Sequence, residues 1–138
     1  MPGVPDVSPQ EAWDALREDP SAALIDVRTD AEWNFVGLPD LQPVGKEVVL
    51  IPWQFYPSMQ VNGAFAGQLR KAGLSPTSRL FFICRSGARS LAAGQAAQAA
   101  GFPQAFNVAD GFEGPVDAEG HRGTVGGWKA TGLPWRQR

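Results

Sequence analysis

The chain has one cysteine and one histidine, few charges, and no apolar run of bilayer-spanning length. Each shortage excludes something. A lone cysteine cannot form an internal disulfide, and with His121 as the only other soft ligand it cannot build a thiolate zinc cluster. No metal and no cofactor is therefore expected. The absence of a long apolar run excludes a spanning helix. Lys and Arg number 12 against 14 Asp and Glu, a net charge of −2, so no basic face is available for a nucleic-acid partner. Met1-Pro2-Gly3-Val4-Pro5-Asp6 has neither the positive charge nor the apolar stretch of a secretory signal. With the reduced-thiol chemistry of a single cysteine, this predicts a cytoplasmic protein.

What is present suits one domain over residues 1–138, with a core over about 8–135. Apolar residues make up 43% and charged residues 19%, enough for one packed interior and too little charge for a disordered chain. The 12 prolines and 16 glycines are scattered as punctuation and not gathered into a linker.

The order of segments reads as strands alternating with helices, an α/β layered domain. Ser8-Pro9-Gln10-Glu11 marks a helix start, with Ser8 as cap, Pro9 in the first turn and Glu11 closing a capping box. Residues 22–27 read as a buried strand, and Thr29-Asp30-Ala31-Glu32 as a second capping box opening a short helix. Residues 47–51 are β-branched and read as a strand ended by Pro52. Val61, Phe65, Leu69 and Ala72 recur at helical spacing and predict a helix over 59–72, with Gly73 at its C-terminal cap. Leu80-Phe81-Phe82-Ile83 is apolar throughout, as in the centre of a parallel sheet. Residues 90–100 form an alanine-rich helix closed by Gly101, and 105–108 a last strand. A long loop over 110–123 and a final helix over 124–131 with Trp128 complete the reading.

The chemistry concentrates in Cys84-Arg85-Ser86-Gly87-Ala88-Arg89-Ser90, between the central strand and a helix start. Loops at the carboxyl ends of strands are where open α/β sheets bind ligands. Here the loop amides of residues 85–89 can form an anion-binding nest, the helix starting near Ser90 adds its dipole, and Arg85 and Arg89 add two fixed charges. All three favour a thiolate at Cys84 over the inert buried thiol that a lone cysteine more often is. Gly87 permits a backbone angle that a side chain would resist.

This loop resembles the active-site loop of rhodanese-type sulfurtransferases. The resemblance covers nearly the whole chain. Leu24-Ile25-Asp26-Val27-Arg28 followed by Glu32-Trp33 resembles the family's Asp-x-Arg and Glu-aromatic signature. Asn107-x3-Gly111-Phe112, Trp128 and Gly132-Leu133-Pro134-Trp135 resemble its C-terminal pattern. Where many members carry a histidine after the Glu-aromatic pair, this chain has Phe35-Val36-Gly37-Leu38-Pro39-Asp40. The resemblance implies a five-stranded parallel sheet with helices on both faces. It also implies sulfur transfer through a Cys84 persulfide, from thiosulfate or a persulfide donor to a thiophilic acceptor such as cyanide, a thiol or a protein. In that reading the amides of Arg85, Ser86, Gly87, Ala88 and Arg89, with Ser90, cradle the sulfur, and Arg85 and Arg89 hold an anionic donor.

Two rivals share the fold. Dual-specificity phosphatases and arsenate reductases wrap an oxyanion in a loop one residue longer than the four that separate Cys84 and Arg89. A non-catalytic binding module needs no such cysteine. Of the remaining residues, Asp26 and Arg28 read as a structural pair, Glu32 as a capping acid and His121 as an exposed loop residue. Trp53, Gln54, Phe55 and Tyr56 suit a pocket wall or a lid on the sheet edge equally. Asp110, Phe112 and Glu113 are expected on the opposite rim.

Overall fold

The computed structural model describes residues 3–137. The elements run β1 (Asp6–Val7), α1 (Pro9–Glu18), β2 (Ala23–Asp26), α2 (Asp30–Phe35), β3 (Leu38–Pro39), β4 (Val49–Leu50), β5 (Gln54–Phe55), β6 (Gln60–Val61), α3 (Phe65–Lys71), β7 (Leu80–Ile83), α4 (Ala88–Ala99), β8 (Ala105–Val108), α5 (Gly127–Ala130) and β9 (Trp135–Arg136). The main sheet has five strands in the order β1-β8-β7-β2-β4, and its pairs are parallel.

β7, the middle strand of the five, is apolar and buried along its whole length. Its side chains alternate between two cores. Phe81 and Ile83 join Leu16 of α1 and Trp128 of α5 on one face. Leu80, Phe82 and then Cys84 join Phe65 and Leu69 of α3 and Ala93 and Ala97 of α4 on the other. The alternation thus carries Cys84 to the α3/α4 face, directly before the turn into α4.

Both capping boxes form. Ser8 Oγ accepts from the Glu11 amide at 3.0 Å while Glu11 accepts from the Ser8 amide at 3.0 Å. Thr29 Oγ1 and Glu32 exchange the same pair of bonds at 3.3 and 3.2 Å. Gly73 sits at φ 82° after α3, as a helix-closing glycine should.

Four expectations need correction. The helix expected over 59–72 begins only at Phe65, because residues 60–61 pair with 54–55 in a β-hairpin. Val61 fits the helical period but lies half exposed, and the buried Asn62 turns the chain: its Oδ1 accepts from the Ala64 amide at 3.0 Å and its Nδ2 donates to the Pro52 carbonyl at 2.9 Å. The helix after the cysteine starts at Ala88, two residues before Ser90, because Gly87 takes the capping position. The last helix shrinks to Gly127–Ala130. Finally, β1 extends the fold upstream of residue 8 by pairing with β8.

Candidate active site

Cys84 stands at the carboxyl end of the central strand. The chain then turns through Arg85 and Ser86 to Gly87, whose φ of 113° only glycine adopts without strain. A Cβ there would also collide with the Ala109 carbonyl of the loop after β8. That turn aims the Gly87 amide back at the sulfur, donating to Cys84 Sγ at 3.1 Å. Among the described residues it is the loop amide seen to do so; the nest expected from residues 85–89 narrows to this one donor at the sulfur.

The loop after β8 clamps the cysteine loop through its backbone. The Phe112 amide donates to the Cys84 carbonyl at 2.8 Å, and the Glu113 and Gly114 amides donate to the Arg85 carbonyl at 3.0 and 3.1 Å. Gly111 makes this approach possible, since a Cβ on it would lie 2.5 Å from the Arg85 carbonyl oxygen. Phe112, expected on a rim, is instead fully buried and lies under the Arg28 guanidinium at 4.3 Å.

Ser90, in the first turn of α4, lies 3.2 Å from Sγ through its Oγ. The same oxygen donates to Asn107 Oδ1 at 2.5 Å and approaches the Gly87 carbonyl at 3.1 Å. Cys84 is 2% exposed, recessed but in polar company. Ser86 is half-buried and Ala88 exposed, neither with a side-chain contact to the sulfur among the described residues.

A cavity of about 850 Å³ opens beside the loop, with Arg85, Arg89 and Arg122 on its wall. Tyr56, Met59 and Val116 supply its apolar part. Cys84 is not itself on this wall. The two loop arginines differ. Arg85 is exposed and makes no ion pair among the described residues. Arg89 is held by Glu32 of α2 through bonds of 2.6 and 2.8 Å. The Glu32 hydrogen bond and charge push the Arg89 guanidinium further up than burial pulls it down. Burial alone would raise the Glu32 carboxyl; the Arg89 bonds and the Thr29 contacts outweigh it and hold the group below its ordinary value. Glu32 is therefore both a capping acid, as its spacing predicts, and the partner of a loop arginine, which no local signal announces.

The hairpin divides the two readings of residues 53–56. Tyr56 faces the cavity, whereas Trp53 packs edge-on to the core residue Phe65 at 5.3 Å. Glu113 and His121 line the cavity, and His121 is exposed. Asp26 and Arg28 form the structural pair expected of them, wholly buried and 2.7 Å apart. Among the described residues no cluster of His, Cys, Asp or Glu could hold a metal, and no helix is long and apolar enough to cross a membrane.

Residues 5–138 match the family profile described as the STR4 middle domain. The crystal structure of Rv0390 from M. tuberculosis superposes with a TM-score of 0.89 at 48% identity, over 99% of this chain and all of that one. The polysulfide-sulfur transferase homodimer of Wolinella succinogenes gives 0.63 at 26% identity, over 98% of this chain and 80% of that one. The thylakoid rhodanese-like protein of Oryza sativa is 32% identical over 130 residues, which are 94% of this chain and 24% of that protein. With the parallel sheet and the cysteine loop at its centre, these matches identify the chain as a member of the STR4 middle-domain family and of the rhodanese-like proteins.

Proposed function

We propose that this protein is a sulfurtransferase that carries a sulfane sulfur on Cys84. The observation that carries the reading is the convergence at one sulfur atom: the Gly87 amide on Sγ at 3.1 Å, α4 beginning four residues on, and the exposed Arg85 on the adjoining cavity wall. A backbone donor and a helix N-terminus stabilise negative charge on sulfur, and an arginine beside the entrance suits an anionic donor. The name of the Wolinella relative, a polysulfide-sulfur transferase, supports the same chemistry.

The exchange has two steps. The Cys84 thiolate attacks the outer sulfur of thiosulfate; the new S–S bond forms as the old one breaks, and sulfite leaves with the electron pair. A thiolate, cyanide or the cysteine of an acceptor protein then attacks the outer sulfur of the persulfide, and the Cys84 thiolate is the leaving group. An organic persulfide donor enters by the same route with a thiolate as leaving group. This is covalent catalysis, and ping-pong kinetics follow.

Exposure to thiosulfate or an organic persulfide should add one sulfur atom to the Cys84 peptide, read by mass spectrometry. Cys84→Ser should abolish both the addition and sulfur transfer. Transfer that survives Cys84→Ser, or hydrolysis of phosphate esters with no sulfur gained from either donor, overturns the proposal.

A further inference from the structure

Ser90 Oγ has one proton and three acceptors around it: Asn107 Oδ1 at 2.5 Å, the Gly87 carbonyl at 3.1 Å and Cys84 Sγ at 3.2 Å. The shortest of the three is fixed from behind. Asn107 Nδ2 donates to Asp6 Oδ1 at 3.0 Å, and a carboxylate only accepts, so the Asn107 amide must turn its oxygen toward Ser90. Sheet pairing supports the arrangement, since Asp6 of β1 and Asn107 of β8 are register partners. Asn107 and Ser90 are buried, whereas Asp6 is at the surface. The Ser90 hydroxyl proton thus points at Asn107, and the oxygen lone pairs are left for Sγ. A lone pair satisfies an S–H donor and opposes a thiolate.

We propose that Asp6, Asn107 and Ser90 form a hydrogen-bonded column that holds the sulfur-free Cys84 as a thiol, and that its ionisation requires the Ser90 hydroxyl to turn from Asn107 to Sγ. On ionisation the Sγ proton passes to water, and Ser90 exchanges a bond to a neutral amide oxygen for one to a charged sulfur. A persulfide has neither a proton nor the charge on Sγ, so it leaves the Ser90 hydroxyl on Asn107. The column therefore distinguishes the thiol of the empty carrier from its thiolate. Asp6 and Asn107 touch neither donor nor sulfur and are positioning residues. The inference rests on the sulfur-carrier reading for its role in the reaction, but not for the state of the thiol.

Other charged groups stand near the sulfur, some paired and some not. Arg85 lies on its own loop, Arg89 of α4 is paired with Glu32 of α2, Asp26 and Arg28 at the end of β2 are paired with each other, and Glu113 follows β8. Within the column itself, only Asp6 carries charge.

The test is the rate of Cys84 alkylation by iodoacetamide in the sulfur-free, full-length protein, measured across pH. Asp6→Ala removes the acceptor that orients Asn107, and Asn107→Leu removes the acceptor that captures the Ser90 proton. Each should speed alkylation about five- to tenfold at pH 7, as expected for a hydroxyl freed to bond a charged sulfur, and displace the pH profile to lower pH. In a Ser90→Ala background, Asp6→Ala should have no effect. Unchanged rates overturn the column. So does an acceleration that is equal at every pH or that persists without Ser90, because loosening of β1 alone would produce it. If Asn107→Leu does not fold, Asp6→Ala, at an exposed edge position, decides the question by itself. Alkylation does not depend on turnover, so failure of the sulfurtransferase reading would appear separately, as a Cys84 that gains no sulfur.

Discussion

Two arginine–carboxylate pairs flank the cysteine loop, and they are built from the same chemistry for different work. Asp26 and Arg28 have side chains 0% exposed, while Glu32 and Arg89 are 21% and 18% exposed. The first pair is sealed from solvent, and of its polar side-chain atoms Arg28 Nη1 is left without a hydrogen-bond partner among the described residues. Arg28 Nε and Nη2 bond both Asp26 oxygens at 2.7 to 3.2 Å, Nη2 also reaches the Gly37 carbonyl at 2.7 Å, and the guanidinium covers Phe112. It ties the end of β2 to the segment before β3 and to the loop that clamps Cys84. The second pair bridges α2 and α4 on the cavity wall. Burial is the difference: a sealed pair fixes a frame, whereas a pair that meets solvent sets how much charge the cavity shows to a ligand.

The sharpest way to break this comparison is to remove one arginine from each pair. Arg28→Met leaves Asp26 as a buried charge without a partner, and should cost about 3–5 kcal/mol of stability. Arg89→Met leaves Glu32 close to water and should cost about 1 kcal/mol or less. Urea denaturation of both variants gives the two numbers. Similar losses would mean that burial is not what separates the pairs.

The frame was largely legible in the sequence and the second pair was not. Both capping boxes, the central strand and the cysteine loop are local patterns, so spacing alone reveals them. Asp26 and Arg28 are two residues apart at a strand end, which makes a structural pair the natural reading. Glu32 and Arg89 are separated by 57 residues. The capping box already explained Glu32, so nothing pointed to a second partner. Asp6 was hidden in the same way, because a two-residue strand bracketed by Pro5 and a helix cap gains its identity only from β8 beside it. Val61 shows the opposite failure: it satisfies a helical period that the buried Asn62 interrupts. Phe112 was misplaced because its position depends on how the loop after β8 folds back over Arg28, a contact across 84 residues of chain.

Glu32→Gln sharpens the comparison at smaller scale. Glutamine at this position keeps the capping box but removes the charge that neutralises Arg89. The freed guanidinium then faces the cavity beside Arg85. KM for thiosulfate should fall about three- to tenfold, the range of a partly exposed charge contact, with kcat changed less. Steady-state kinetics on thiosulfate check it. An unchanged KM would place Glu32–Arg89 with the frame and remove Arg89 from donor binding.

The smallest effect is the acid dependence of the same pair, and its sign follows from the direction of the Glu32 shift. Burial raises the carboxyl, but the Arg89 and Thr29 hydrogen bonds prevail and hold it below the ordinary 4.5. A carboxyl depressed on folding adds stability that is fully present above its unfolded value and is lost as pH falls through its folded one. Arg89 is shifted upward by its Glu32 hydrogen bond and contributes nothing to this window. Asp19 is the main background, because the Arg79 hydrogen bond lowers it from 3.8 to about 2 and its own loss comes at lower pH. Subtracting the stability of Glu32→Gln from that of the parent chain removes this background. The difference should be flat above pH 4.5 and shrink below it. A difference that stays constant to the acid limit would show that Glu32 stabilises the fold through its capping bonds alone, and that its charge matters only to what enters the cavity.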